Sequence, residues 1–273
     1  MNAAVASIGL RGLPIIACVS MLSSACGSST PTPSAPPTKP KAPVVAYSEV
    51  WSGDPGVDLF SRSAELVRGT MEAGDLALHV GADQSYPGYA SAVSELTHKY
   101  ESMSEPDMAE YRYVEVRPDT RDEMVPSTKY RHIAALSATG QTVSATVCGY
   151  DVWPQSMPNE DDRHQGGGVR IELHNTASDP GLPGVANKNP NSHDPRASIP
   201  PAWNVFGTWK VTQIKRSLSA AEDPAECLPW YEQQFPTFTK APEYNYLMAP
   251  SGYVAPHNPV VPQFPEWIAP TTP

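Results

Sequence analysis

At 273 residues, with 40% hydrophobic content and a net charge of −10, the chain has enough apolar material for one sizeable domain or two small ones, which excludes fibrous and collagen-like classes. Its 31 prolines are roughly double the usual share of about 5%, and its 18% charged fraction lies below the usual quarter or so, so ordered globule shares the chain with proline-rich segments. Lys and Arg are scattered, which argues against binding a nucleic-acid backbone, and no run reaches the roughly 20 apolar residues of a membrane span.

The first 25 residues read as a secretory signal: Arg11 supplies positive charge and residues 12–22 (GLPIIACVSML) form a short apolar run. The run ends in Leu22-Ser23-Ser24-Ala25-Cys26-Gly27, which resembles a bacterial lipoprotein lipobox with Cys26 as the lipidated residue, although Leu stands four places before the cysteine instead of three. Ile15-Ile16-Ala17-Cys18 matches the letters more closely, but it leaves too short an apolar stretch after Arg11. The resemblance implies a diacyl group on the Cys26 thiol and a further fatty acyl group such as palmitate on the new amine, a multi-chain anchor of the kind that holds stably to a bilayer. Residues 26–47 then carry the lipidated cysteine and a stalk with six prolines among residues 27–46. Chain of this composition extends about 3.1 Å per residue and would hold a domain roughly 50 Å from the membrane. The expected location is therefore the extracytoplasmic face of the cell membrane.

Loss of the signal removes Cys18 and lipidation consumes Cys26, leaving Cys148 and Cys227. In an oxidising compartment such a pair is expected to form a disulfide, closing a loop of about 80 residues and adding roughly 4 kcal/mol of stability in the chain-entropy model. No CxxC or HExxH motif accompanies them, so no metal and no cofactor is expected.

Asp54-Pro55 predicts a helix start, and Phe60, Ala64, Val67 and Met71 predict an amphipathic helix over 55–73 with Arg62, Glu65 and Arg68 or Glu72 toward water. Gly74-Asp75 is expected to interrupt it, followed by a helical piece, a Tyr86-Pro87-Gly88-Tyr89 turn and another helix through Ala92, Val93 and Leu96. From residue 111 the period becomes two, predicting strands over 111–117, 129–136, 142–150, 169–174 and 204–215, with the second and third joined as an antiparallel hairpin through 137–140. Helices followed by an antiparallel sheet predict an α+β fold.

Long helix, helical pieces and strands, with Gln141-Thr142-Val143-Ser144-Ala145-Thr146-Val147-Cys148-Gly149-Tyr150-Asp151 and a last strand Gly207-Thr208-Trp209-Lys210-Val211-Thr212, resemble the cone-shaped NTF2-like (cystatin-like) domains found in many exported actinobacterial lipoproteins. The resemblance spans about residues 48–217, with the domain drawn at 48–227 and a loop insertion at 175–201. It implies helices packed on a curved antiparallel sheet around a pocket, in which some relatives use Asp, His or Tyr for proton transfer. Tyr130 and His132 share one face of a predicted strand, and Tyr113 or Asp151 is the candidate to approach them as an acid–base group, against the plainer reading of packing and surface residues.

Asn159 with Glu160-Asp161-Asp162 lacks EF-hand spacing, Gln165-Gly166-Gly167-Gly168 lacks the P-loop Lys-Ser/Thr, and the insertion at 175–201, preceded by His174 and carrying His193, reads as a mobile surface loop. Residues 228–273 combine ten prolines with nine aromatics. Such a tail wraps the domain, with 230–238 and 264–268 docked and 251–258 looser, offers an extended ribbon to a partner, or is plainly disordered. The expected function is a lipid-anchored, noncatalytic binding or accessory module, with an envelope protein or a small ligand as its partner. The alternatives are a small-molecule enzyme using the cone pocket and a scaffold that docks through the tail.

Overall fold

The computed structural model describes residues 44–101, 123–155, 167–178, 180–217 and 222–271. The expected signal, Cys26, nearly all of the expected stalk, the strand expected at 111–117 with Tyr113, and the acidic run 159–162 lie outside them. The described chain is α+β, with one five-stranded sheet whose strands lie in chain order: β1 (Ser48–Gly53), β2 (Thr128–Ala138), β3 (Thr142–Val152), β4 (Val169–Asn175) and β5 (Trp209–Arg216).

The strands expected from 129 onward form, and the predicted hairpin is β2–β3, closed where the Thr139 amide donates to the Thr142 carbonyl at 2.8 Å. Period-two patterning explains β4, where Val169, Ile171 and Leu173 are buried while Arg170 and His174 are exposed. Asn204 to Thr208 is not strand, so β5 starts later than expected. The sheet also holds a strand that the alternation from 111 onward did not include. β1 precedes the helices and pairs parallel with β2, Ser48 facing Thr128 and Ser52 facing His132, so the sheet is not wholly antiparallel. Parallel pairing follows from the long helical crossover between the two strands.

That crossover is α1 (Arg62–Val80), with α2 (Tyr89–Ala92) and α3 (Ser94–Glu101) after it. The start at Asp54-Pro55 is a misreading: Ser61 is the N-cap, its Oγ accepting from the Ala64 amide at 3.3 Å. Asp54 instead continues the β1 ladder, its amide donating to the Ile133 carbonyl at 3.1 Å. Gly74-Asp75 does not break the helix either, since a glycine costs about 1 kcal/mol in a helix and burial of both flanking turns outweighs that. The helix ends at Gly81, which takes φ +86° and returns its amide to the Ala77 carbonyl.

Every residue from Ala64 to Ala77 is buried, including Glu65, which the pattern had put in water, and Arg68 and Glu72, of which it had put one or the other there. One side of α1 meets the sheet through a core that includes Leu66, Met71, Ile133, Val147 and Ile171. The other side is covered by irregular chain from the 175–201 insertion and the C-terminal segment. Arg62 Nε donates to the Pro180 carbonyl at 2.8 Å, Arg62 Nη2 donates to the Val205 carbonyl, and the Gly184 amide donates to Glu65 Oε1 at 2.7 Å.

The opposite face of the sheet carries a second apolar cluster. α4 (Leu228–Gln234) packs Trp230 and Tyr231 there, and Phe235, Phe238 and Leu247 continue the layer against Tyr130 and Tyr150. Cys148 and Cys227 are joined by a disulfide spanning 79 residues and tie this layer to β3. The Tyr231 hydroxyl bonds both the amide and the carbonyl of Gly149 at 3.3 Å. The proline-aromatic segment thus contributes a helix and buried rings, while Val254 stays 80% exposed.

Candidate functional site

Beneath α1 lies a polar network inside the apolar core. Glu72 Oε2 accepts from the Trp267 indole at 2.6 Å, the Tyr86 hydroxyl at 2.7 Å and Gln263 at 3.0 Å, while Oε1 accepts from the Trp51 indole at 2.9 Å. Burial raises the Glu72 carboxyl, opposed by Arg68 and by these donors, and the net direction is upward. Arg68 lies 4.5 Å from the centre of the Trp267 ring and donates to the Pro265 carbonyl at 3.4 Å. One helical turn on, Asp75 receives Arg131 at 2.9 Å and Lys129 at 3.0 Å. Burial alone raises Asp75, but these two cations outweigh it and hold the carboxyl well below its usual range. Glu49 is the strained member. Both of its buried oxygens lack a hydrogen bond, Arg131 Nε stands 3.5 Å away, and burial with the Asp75 charge raises its carboxyl strongly.

This network anchors the floor of a cleft. Gln263 Oε1 accepts the Glu49 amide at 2.7 Å, and Phe264 exchanges backbone hydrogen bonds with Glu49 and Trp51 at 3.0 and 2.8 Å, extending the edge of β1. The insertion is bound to the same segment. The Val185 amide donates to the Ile268 carbonyl at 2.9 Å and the Ser198 amide to the Trp267 carbonyl at 3.0 Å. Between the two segments opens a cleft of about 350 Å³, with Ala197, Ile199 and Pro262 as apolar walls and Trp267 and Gln263 at its base. His193, Ser198 and Glu266 supply further polar lining. His193 Nδ1 meets Glu266 Oε1 at 2.6 Å, and Glu266 also accepts from Asn187 at 2.9 Å and from the Asp194 amide at 3.0 Å. Partial burial raises the Glu266 carboxyl, but those donors outweigh it and hold it below the usual range. His193 is thereby positioned with one ring nitrogen committed to Glu266.

The residues singled out from sequence fall elsewhere. Tyr130 stacks on Tyr150, ring centres 4.9 Å apart, and His132 stacks on Trp230 at 5.0 Å, both on the sheet face away from α1. Asp151 alternates to the α1 side and accepts from Arg131 Nη1 at 3.1 Å, so strand geometry separates it from the other two. Gly149, opposite Arg131 in the ladder, makes room for that guanidinium, since a Cβ there would lie 2.5 Å from Nη1. Two residues not singled out as site candidates do meet His132. Ser52 Oγ lies 2.8 Å from Nδ1 and Asp54 Oδ1 lies 2.9 Å from Nε2. The signal for them was the Ser-x-Asp spacing at the end of a strand, which sets both side chains on one face. Glu266 and Gln263 had no such signal beyond their place between Phe264, Trp267 and prolines.

Among the described residues, no group of three or more His, Cys, Asp and Glu converges as a metal site. No protein-family model matches this chain, and no curated protein and no solved structure is significantly similar to it.

Proposed function

We propose that this chain is an exported envelope protein, anchored through Cys26, that acts as a binding module and receives a compact small ligand in the cleft above Trp267. The cleft carries the proposal: about 350 Å³ is at the lower end of the roughly 300–1,000 Å³ of ligand pockets, and it combines apolar walls with a few convergent polar groups. Its carboxylate and imidazole are spent on holding each other and the loop, which suits orientation of a ligand better than proton transfer. The Ser198 side chain and the second His193 nitrogen are the polar groups we assign to the ligand. We read the α+β body as a relative of the NTF2-like domains, on the order of helices 62–101 before the antiparallel β2–β5, with β1 as an addition to that order.

Thermal-shift screening of a fragment collection tests the binding role. Fragments that bind in the cleft raise the melting temperature of the wild type and leave Ala197→Trp, whose indole fills the space, unmoved. Equal shifts in both proteins, or none in either, would contradict a ligand site at this position.

A further inference from the structure

A second constellation lies outside the cleft, at the free end of β1. Ser52 and Asp54 stand two residues apart on a continuous extended segment, and the parallel register sets Ser52 opposite His132. Both side chains therefore project to the sheet face on which His132 lies, and they grip the imidazole from its two nitrogens: Asp54 Oδ1 at 2.9 Å from Nε2 and Ser52 Oγ at 2.8 Å from Nδ1. A carboxylate is acceptor-only, so it fixes the proton on Nε2 and leaves the Nδ1 lone pair facing the Ser52 hydroxyl. Ser52 Oγ also has the Arg131 carbonyl at 3.4 Å, a longer and weaker alternative acceptor than Nδ1. The ring is held in plane by Trp230, which stacks on it with an interplanar angle of 8°. His132 is buried while Ser52 is exposed, so the base is rigid and the hydroxyl is open to solvent.

We infer that Ser52, His132 and Asp54 form an acyl-transfer site with Ser52 as nucleophile, His132 as general base and Asp54 as the carboxylate that orients it, acting on carboxylic esters with good leaving groups. The order of roles is that of a Ser-His-Asp triad with the two ring nitrogens exchanged. The Ser52 proton passes to His132 Nδ1 as Oγ bonds to the ester carbonyl carbon. The carbon–oxygen bond to the leaving alcohol breaks, and the imidazolium returns its proton to that oxygen. Water, deprotonated in turn by His132, cleaves the acyl-Ser52 ester, releasing the acid and restoring the hydroxyl. Exposure of Ser52 sets the substrate class, because an oxyanion that forms in water and not in a dry cavity gains less stabilisation, which favours aryl esters over amides.

The test uses the full mature protein with a fluorophosphonate probe, read by intact mass and peptide mapping, beside hydrolysis of p-nitrophenyl acetate. One phosphonyl group is expected on Ser52, with fluoride leaving. It is lost in Ser52→Ala, and His132→Gln slows it by about 100-fold or more. Because His132→Gln also disturbs the Trp230 stack, Asp54→Ala serves as the second variant. Its side chain is half exposed, so folding is retained, and at least about a tenfold slower rate is expected from loss of the orienting carboxylate. Absence of an adduct on Ser52 would overturn the assignment, as would a labelling rate unchanged in Asp54→Ala, which would make Ser52 an exposed hydroxyl and nothing more.

Discussion

Glu49 shows how much one buried carboxyl depends on its surroundings. It is 1% exposed, faces the negative Asp75 and Glu72 on α1 and the positive Arg131 and Lys129 on β2, and burial raises its carboxyl. A carboxyl raised by folding stabilises the fold fully below its unfolded value and loses that contribution as the pH rises through the folded value. Glu49→Gln removes the loss, so its unfolding free energy relative to wild type, read by denaturant titration at each pH, should climb from pH 4 to pH 8. Asp75 runs the other way: its lowered carboxyl stabilises above the unfolded value and is lost as the pH falls. A variant whose advantage stayed flat across that range would show Glu49 to be ionised in the fold.

At the scale of elements, α1 explains both what the sequence made legible and what it hid. The strand alternation, the β2–β3 hairpin and the turn at 86–89 were readable because each rests on local rules, period two and glycine and proline turn chemistry, and the cysteine pair was readable from the small number of cysteines, with Cys148 and Cys227 the two beyond residue 26. The boundaries of α1 were not. Its polar positions looked solvated because periodicity records what one face buries and is silent on whether a later segment will cover the other. Here residues distant in sequence supply that cover: Trp267 lies 195 positions from the Glu72 it hydrogen-bonds. β1 escaped notice for a related reason. Its six residues, SEVWSG, place Glu49 and Trp51 on the buried side and Ser52 outside, and a glutamate at a core position hides the strand until its partners Arg131 and Gln263 are known.

The same long-range dependence makes a prediction for the C-terminal segment. Trp267→Phe keeps most of the apolar contact but leaves Glu72 short of one donor, which costs about 1–3 kcal/mol. Trp267→Ala also opens a cavity under Arg68 and should cost about 3–5 kcal/mol. Denaturant titration of the two variants checks the order. Equal, small losses would mean that the segment lies on the fold without supporting it.

For the whole molecule, the described chain forms a sheet covered on both faces, with the disulfide holding one cover and the Glu72 network holding the other. Much of the cover is irregular chain with little helix or strand, which is why composition alone suggested a loop and a tail. The covering segments are also where the cleft lies, so the parts least readable from sequence pattern are those that shape the proposed ligand site. Its floor is tied to the buried core through Gln263 and Trp267, which gives the cleft a pre-formed shape and lowers the ordering cost of binding. The most direct measurement uses the six tryptophans as reporters. With 15N-indole labelling, addition of a fragment selected by thermal shift should move the Trp267 signal, and that of its edge-to-face neighbour Trp203, while Trp153, Trp209 and Trp230 stay fixed. Shifts at Trp230 with Trp267 unmoved would place the ligand on the opposite face of the sheet and contradict the cleft as the binding site.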